Sequence, residues 1–424
     1  MRFENNIQEG WVETTLGDIS TRKQYGYTES ASYEKVGPKF LRITDIQNDF
    51  ISWNSVPYCP ISDEDFTKYK LQVGDVVIAR TGNSTGATAT IKEKIDAVFA
   101  SYLIRFQINK EIADYNFIDF LVRSKLWYGF VKSVKSGSAQ GGANANDFSL
   151  FPINLPPLPE QKAIAKVLTA FDDKIGLLQA QNKTLETMAQ TIFKEWFGKY
   201  QIGDELPVGW RVGKFGEVIE FINGYAFKSK DLSKEPIEDS FKVFKMGDIK
   251  KGGGFNPGKT KGYFPRTLSH KLDKYILKNG DLLMSMTDMK DAISLLGHTA
   301  LMIYDNEYIV NQRVGLIRAN NNIDIEYPYL YLLTNNEDFI AGIRAAANSG
   351  VQVNLSTQGI KETEFIIANK ETNKAFNKIV MPLFEKRKAN TLMIKELKKT
   401  RDTLLPKLMS GQVRVNNLKQ TADA

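Results

Sequence analysis

Cysteine and histidine are nearly missing from this sequence of 424 residues. Cys59 is the only cysteine, so there is no disulfide framework and no cysteine-based metal site, and Cys59 is read as a small structural residue. His270 and His298 are the only histidines, with no H-x-x-x-H spacing or carboxylate cluster around them. That speaks against a metal site and against hydrolysis by a Ser-His-Asp or Cys-His arrangement. Long apolar runs are lacking too. Nothing approaches the roughly 18 residues of a membrane-spanning helix, and residues 1–10 lack the basic-then-apolar order of a signal peptide. A soluble, intracellular protein is expected.

What is present suffices for two ordinary cores: 42% of the residues are apolar and 11% aromatic, which puts the chain outside the disordered classes. Two domains of roughly 150 residues plus connectors are the natural expectation. The net charge of +7 invites a nucleic-acid reading. The basic surplus sits in residues 371–424, however, while the stretch before it is close to neutral. Charge alone is therefore weak support, because a lysine-rich helix face is usually just solvated.

Organisation says more. Gly10-Trp11 and Gly209-Trp210 are followed by Leu16-Gly17-Asp18 and Phe215-Gly216-Glu217, then by Asp45-Ile46 and Asp248-Ile249. Gly74-Asp75-Val76-Val77 and Gly280-Asp281-Leu282-Leu283 come next in the same order, so the chain contains an internal repeat. Short β-branched and apolar runs between Gly, Asn and Ser turns predict strands with sizeable loops, and residues 116–134 and 327–347 predict one helical stretch per repeat. The expected class is α+β, not a doubly wound nucleotide fold.

A long amphipathic helix is predicted after each unit. Ile164, Leu168, Phe171, Ile175, Leu178, Asn182, Leu185, Ala189, Ile192 and Trp196 alternate by four and three. So do Phe376, Val380, Leu383, Arg387, Asn390, Ile394, Leu397, Arg401, Leu404 and Leu408. Two such seams predict an antiparallel coiled coil. Aligned flush, Ile164 meets Leu408, Trp196 meets Phe376, and Asn182 falls opposite Asn390, a polar pair able to fix register. Pro382 is expected to kink or delay the second helix. A helix of roughly 38 residues spans about 57 Å, enough to serve as a ruler between two reading heads. The predicted boundaries are 1–157, 158–200 for the central helix, 201–370, 371–415 for the distal helix, and a tail at 416–424.

The run Leu155-Pro156-Pro157-Leu158-Pro159-Glu160-Gln161, leading to Ile192-Phe193-Lys194-Glu195-Trp196-Phe197, resembles the central helical region of type I restriction-modification specificity subunits. Tyr25-Gly26-Tyr27-Thr28, Asn223-Gly224-Tyr225-Ala226-Phe227-Lys228 and Leu404-Leu405-Pro406-Lys407-Leu408-Met409-Ser410-Gly411 agree with it. The resemblance covers essentially the whole chain. It implies a non-catalytic DNA-reading subunit of a bacterial or archaeal cytoplasm, with two tandem target recognition domains, each contacting one half of a split, asymmetric double-stranded target. It further implies two docked methylating (modification) subunits and joining restriction/translocase subunits. S-adenosylmethionine, ATP and magnesium would belong to those partners, and no cofactor to this chain. One departure is visible. The start of the second helix, Ile366-Ile367-Ala368-Asn369-Lys370-Glu371-Thr372, has lost the Pro-Pro-x-Pro-Glu-Gln pattern, so the two helices need not dock partners alike.

Gly253-Gly254-Phe255-Asn256-Pro257-Gly258-Lys259-Thr260 matches the phosphate-binding G-x-x-x-x-G-K-[ST] pattern. That loop requires a helix behind it, and Lys261-Gly262-Tyr263-Phe264-Pro265 cannot begin one. NTP binding is not expected; Lys250, Lys251, Lys259 and Lys261 instead suit DNA phosphates or a plain solvated turn. Phe171-Asp172-Asp173-Lys174 is read as a solvated flank of the seam, not a nuclease site.

Base reading needs paired donors and acceptors on elements that enter a groove. In the first domain the polar loops Arg80-Thr81-Gly82-Asn83-Ser84-Thr85-Gly86 and Lys135-Ser136-Gly137-Ser138-Ala139-Gln140 qualify, with Arg80, Asn83 and Gln140 as base readers and Thr81, Ser84, Lys135 and Ser138 beside them. In the second, Met286-Thr287-Asp288-Met289-Lys290 and Asn348-Ser349-Gly350-Val351-Gln352 correspond, giving Thr287, Lys290, Ser349 and Gln352. Tyr27, Tyr225 and Lys228 are further candidates, although aromatics after glycine commonly pack a turn. The competing readings are a DNA-independent scaffold that assembles partners and an intrinsic nuclease or NTPase.

Overall fold

The computed structural model describes residues 8–46, 51–136, 142–257, 259, 261–289, 293–320, 324–347 and 352–415. The chain divides into two compact units, the divisions falling between Leu177 and Leu178 and between Met393 and Ile394. Among the described residues no helix is long and apolar enough to cross a membrane.

The first unit contains β1 (Val12–Thr15), β2 (Ser20–Tyr25), β3 (Lys39–Leu41), α1 (Asp63–Tyr69), β4 (Asp75–Ala79), β5 (Thr88–Thr90), β6 (Ala97–Phe99) and β7 (Leu103–Ile108). It continues with α2 (Tyr115–Val122), α3 (Lys125–Ser136), α4 (Ala145–Ser149), β8 (Pro152–Leu155) and the start of α5 (Leu158–Phe197). Its four-stranded sheet has the order β2-β7-β4-β5, with side ladders β1-β8 and β3-β6. β4 and the main part of β7 are buried on both faces, so β4 reads as the apolar run Val76-Val77-Ile78-Ala79, while β7 carries the buried Arg105 in its middle.

The second unit repeats the plan. It holds β9 (Arg211–Lys214), β10 (Ile219–Asn223), β11 (Ser240–Phe244), β12 (Tyr263–Pro265), β13 (Leu282–Ser285), β14 (Thr287–Met289), β15 (Thr299–Leu301), β16 (Tyr308–Val310) and β17 (Val314–Ala319). After these come α6 (Tyr327–Leu333), α7 (Glu337–Ala345), β18 (Gln352–Asn354), α8 (Thr357–Glu362), β19 (Glu364–Ile367) and the start of α9 (Lys370–Met409), whose part from Ile394 on belongs to the first unit. The sheet order β10-β17-β13-β15 matches the first unit strand for strand, and β9-β19 takes the place of β1-β8. Strand β12 corresponds to the isolated pairing of Tyr58 with Ser32 and Lys39 in the first unit, whereas the ladder β14-β18 has no counterpart among that unit's described residues.

The landmarks of the repeat turn out to be devices of chain geometry. Gly74 and Gly280 take φ of +97° and +91°, a region open to glycine. The following aspartates close the turn, Asp75 accepting from the Gln72 N–H at 2.9 Å and Asp281 from the Lys278 N–H at 2.8 Å. Gly26 and Gly224 lie so close to the carbonyls of Ala100 and Asn311 that any Cβ would collide with them. Asp45 and Asp248 likewise accept from the backbone N–H three residues earlier, at 2.9 and 2.8 Å.

Each predicted helical stretch is broken in two. Ser124 Oγ accepts from the Trp127 N–H at 3.4 Å as α3 begins, and Asn336 Oδ1 accepts from the Asp338 and Phe339 N–H groups as α7 begins. Polar side chains that cap a new helix end the old one. Trp127, fully buried, anchors α3 on the first core: its Nε1 donates to the Gly86 carbonyl at 2.7 Å and its ring meets Phe151 edge-on at 5.0 Å.

Pro382 does not delay the second long helix, which begins at Lys370 and continues past it. The proline is exposed, so the carbonyl deprived of its partner faces the solvent side, where water can satisfy it.

Within the first unit, Leu404, Leu405 and Leu408 of α9 join Ile164, Ala165 and Leu168 of α5 in one apolar cluster. There Arg401 donates to Asp172 at 2.5 Å, and Arg123 adds a contact to the same carboxylate at 3.4 Å. Asp172 is therefore an ion-paired residue and not the solvated flank expected from the sequence, because two guanidinium groups from other helices reach it. Ile175 is buried beside these, with Phe171, Ile394 and Leu397 half-buried.

Within the second unit, Leu178 is buried and Leu185 half-buried. Asn390, 1% exposed, donates to Oδ1 of Asn182 at 3.0 Å and to Gln181 at 2.8 Å. Arg387 pairs with Glu186 at 3.1 Å, and the rings of Trp196 and Phe376 lie 5.8 Å apart.

The starts of α5 and α9 are fastened alike in spite of their different sequences. Gln161, fully buried, donates to the carbonyls of Pro156 at 2.8 Å and Ile112 at 3.0 Å, and accepts from the Asp114 N–H at 2.8 Å. In the second unit Asn373 donates to the Ala368 carbonyl at 3.2 Å and Asn377 to that of Asp324 at 2.6 Å. Two asparagines on successive turns do what one glutamine does in the first unit.

Candidate nucleic-acid interface

In the first unit the candidate residues collect where β4 and β7 end. The β4-β7 ladder closes with Ala79 opposite Leu103, and the next residue, Arg80, donates its backbone N–H to the Tyr102 carbonyl at 3.1 Å. The Arg80 Nε–H donates to the Ser101 carbonyl at 3.1 Å, and the guanidinium lies 5.0 Å from the centroid of the Tyr25 ring. The Tyr25 hydroxyl in turn accepts from the Ala145 N–H at 3.1 Å. Arg80 is thus held at its root and along one edge of its planar head, an arrangement that leaves part of its donor fork for a ligand.

The two loops singled out in the sequence come together here. Ala143 N–H donates to the Arg80 carbonyl at 3.1 Å, and the Lys135 ammonium donates to the Gly82 carbonyl at 3.3 Å. Thr81 is half-buried at the start of this loop, Asn83 is exposed, and Ser84 ends the tight turn Gly82–Ser84. Ser138 and Gln140 lie outside the described residues. Tyr27 is placed elsewhere: its ring packs on Tyr69 at 5.3 Å, against the small cluster of Phe40, Cys59 and Val98. Burial there pushes the Cys59 thiol up to about 11, which leaves it protonated and unreactive at neutral pH.

Sequence reasoning missed Ser101 and Tyr102, the turn that holds Arg80. Its side chains carry no periodic signal, and only the pairing of β4 with β7 brings it next to residue 80.

The second unit offers a stiffer surface at the same place. Met286 N–H donates to the Arg313 carbonyl at 3.3 Å, and Thr287 begins β14, which pairs with β18 so that Thr287 lies opposite Asn354. The Thr287 hydroxyl contacts Met246 Sδ at 3.3 Å. Asp288 accepts from the N–H groups of Leu295 at 2.7 Å and Leu296 at 3.3 Å. Gln352 enters the ladder opposite Met289; Lys290 and Ser349 lie outside the described residues. The loops expected on either side of residues 287 and 352 are therefore joined by a two-stranded ladder, a pairing that needs long-range register and leaves no local signature.

The phosphate-loop look-alike is not a nucleotide cradle. Gly254 N–H donates to the Thr299 carbonyl at 2.8 Å, Phe255 packs on Phe244 and Tyr308, and β12 follows where a helix N-terminus would have to stand. Lys250, Lys251 and Lys259 are exposed around this turn, whereas Lys228 opens a separate one at Ser229–Asp231. Tyr225 packs on Phe227 at 5.0 Å and Tyr275 at 5.3 Å. His298 accompanies Asn335, its Nδ1 3.3 Å from the amide oxygen, and burial holds its basicity below the usual imidazole value. Among the described residues no group of three or more His, Cys, Asp or Glu is placed to hold a metal ion.

Two matches to the family model for the type I restriction modification DNA specificity domain cover residues 8–187 and 207–399. The chain is 26% identical over 363 residues to the type I restriction enzyme MjaVIII specificity subunit of Methanocaldococcus jannaschii, covering 81% of this chain and 80% of that one. It is 24% identical over 468 residues to the HindI specificity subunit of Haemophilus influenzae, covering 95% and 99%. The crystal structure of the type I restriction-modification S subunit from M. genitalium has a similar fold, with a TM-score of 0.59 at 15% identity over 96% of this chain and 98% of that one. The chain belongs to the type I restriction modification DNA specificity domain family, carries that domain twice, and is a DNA-recognition component, not a catalytic one.

Proposed function

We propose that this chain reads a bipartite, asymmetric double-stranded DNA target for a cytoplasmic type I restriction-modification complex. Residues 1–157 and 201–370 each read one half, and the helices 158–200 and 371–415, followed by the tail 416–424, join them and dock the partners. The observation that carries this reading is the pairing of like topology with unlike contact residues. The same sheet order recurs, yet Arg80-Thr81-Gly82-Asn83 in one unit stands where Met286-Thr287-Asp288-Met289 stands in the other. A shared scaffold with different side chains at its reading edge suits two different half-sites. The partners on this reading are two methylating subunits and the restriction subunits, which carry S-adenosylmethionine, ATP and magnesium.

Selection from randomised duplex DNA, using the chain assembled with its methylating partner, tests the proposal. Two conserved blocks separated by an unconserved spacer are expected. Uniform weak binding at every sequence would instead favour a DNA-independent scaffold, a reading that the near-neutral residues 1–370 keep in play.

On the same reading the long helices form an antiparallel coiled coil. Support comes from the order of contacts in the second unit, where Asn182, Glu186 and Trp196 meet Asn390, Arg387 and Phe376 in turn. A buried asparagine pair fixes register at some expense of stability. Asn182→Leu and Asn390→Leu, measured singly and together by denaturant titration, are expected to be non-additive by about 0.5–3 kcal/mol. Simple additivity would remove the pair from any role in register.

A further inference from the structure

The edge that carries Arg80 has a second component in both units. β4 and β7 end with Ala79 opposite Leu103, and β13 and β17 end with Ser285 opposite Val314. Beyond the last pair, Arg80 N–H donates to the Tyr102 carbonyl at 3.1 Å and Met286 N–H to the Arg313 carbonyl at 3.3 Å. Leu103 N–H closes its turn on the Ala100 carbonyl at 2.8 Å, and Val314 N–H does so on the Asn311 carbonyl at 3.0 Å. Tyr102 and Arg313 therefore occupy one and the same structural position, fixed by main-chain bonds whatever the side chain.

Those side chains face outward. Tyr102 is 55% exposed, and Gln312 and Arg313 are both exposed. Among the described residues no hydrogen bond or ion pair engages the Gln312 or Arg313 side chain. Other arginines of this unit are held: Arg318 by Asp281 at 2.8 Å and Arg387 by Glu186 at 3.1 Å. A guanidinium and a neighbouring amide, both without a partner among the described residues and both on a turn closed by main-chain hydrogen bonds, supply the donor-acceptor sets that discriminate guanine and adenine in the major groove.

Each unit also places one guanidinium on this pair of adjoining strand ends, from opposite sides. The first carries Arg80 beside Tyr102, and the second carries Met286 beside Arg313.

We infer that the turns Ala100–Tyr102 and Asn311–Arg313 are a further base-reading element, with Gln312 and Arg313 setting base preference in the half-site of the second unit and Tyr102 contributing in that of the first. The inference rests on the two-domain reading proposed above. Its test uses the full chain with its methylating partner and compares wild type with Arg313→Ala, Arg313→Lys, Gln312→Ala and Tyr102→Ala in selection from randomised DNA.

Wild type should recover a two-part target. Arg313→Ala should lose preference at one or two base pairs of one block, by roughly ten- to a hundredfold, and leave the other block intact. Tyr102→Ala should alter only the other block. Arg313→Lys should keep most non-specific affinity without restoring the preference. An unchanged thermal transition in each variant separates lost reading from lost folding. The inference is overturned if Arg313→Ala recovers the wild-type target, or if its binding weakens equally on all sequences, as a phosphate contact would. Failure of wild type to recover any two-part target would instead bring down the functional reading beneath it, and this inference with it.

Discussion

Arg105→Met should destabilise the first unit by about 3–5 kcal/mol, the range for removing one partner of a buried ion pair. The Arg105 and Asp75 side chains are 2% and 4% exposed and lie 3.4 Å apart. Arg105 also donates to the carbonyls of Lys70 at 2.7 Å and Lys68 at 3.3 Å and to the Gln24 side chain. Methionine fills the space but takes a donor from three acceptors and leaves the buried Asp75 carboxylate without its cation. Burial already holds the Asp75 carboxyl above the ordinary value for aspartate, with Arg105 and the Gln72 N–H pulling the other way.

The sign of the pH dependence follows. A carboxyl whose value is raised on folding contributes stability that is fully present below the unfolded value of about 3.9 and lost as pH rises through the folded one. Without Arg105 the folded value rises further, so the deficit of the variant should shrink on acidification toward that value. Hydrogen exchange of the slow amides in β4 and β7 reads the first unit separately from the second. Acceleration by roughly two to four orders of magnitude is expected at neutral pH. Exchange unchanged from wild type would mean that the pair contributes nothing net.

The second large effect concerns recognition. Arg80→Ala should abolish the preference for one or two base pairs in one half of the target, a change of about 1–3 kcal/mol in discrimination, and leave the other half untouched. Competition binding with duplexes altered in one half at a time measures this. Arg80→Lys separates two roles for the same charge. If lysine restores affinity but not preference, Arg80 reads its base bidentately, because lysine lacks the planar fork; a phosphate contact would instead show as equal weakening on all sequences in Arg80→Ala, recovered by lysine. Since the Arg80 Nε–H also braces the Ser101 carbonyl, the thermal transition of each variant has to be measured alongside.

The parts of the fold legible in the sequence are those where a local turn demands a particular residue. Gly74-Asp75 and Gly280-Asp281 are visible because a left-handed glycine followed by a capping aspartate is written into adjacent positions. Gly26 and Gly224 are visible because a neighbouring carbonyl leaves no room for a side chain. The helix periodicity of residues 164–196 is legible for a similar reason, being repeated every turn. What stayed hidden depends on partners far along the chain. Ser101 and Tyr102 come beside Arg80 only through the β4-β7 ladder, and Thr287 and Gln352 share one ladder only through the pairing of β14 with β18. Ser124 and Asn336 look like ordinary polar residues until their side chains are seen to cap α3 and α7.

The fastening of the long helices has one more consequence. Gln161 in one unit, and Asn373 with Asn377 in the other, donate to main-chain carbonyls at residues 156 and 112 and at residues 368 and 324. A peptide carbonyl is the same acceptor whatever residue carries it, so these hydrogen bonds constrain where the backbone runs and not which residue stands at positions 112, 156, 324 and 368. Substitutions at those four positions that keep the backbone course should therefore leave the start of each helix in place.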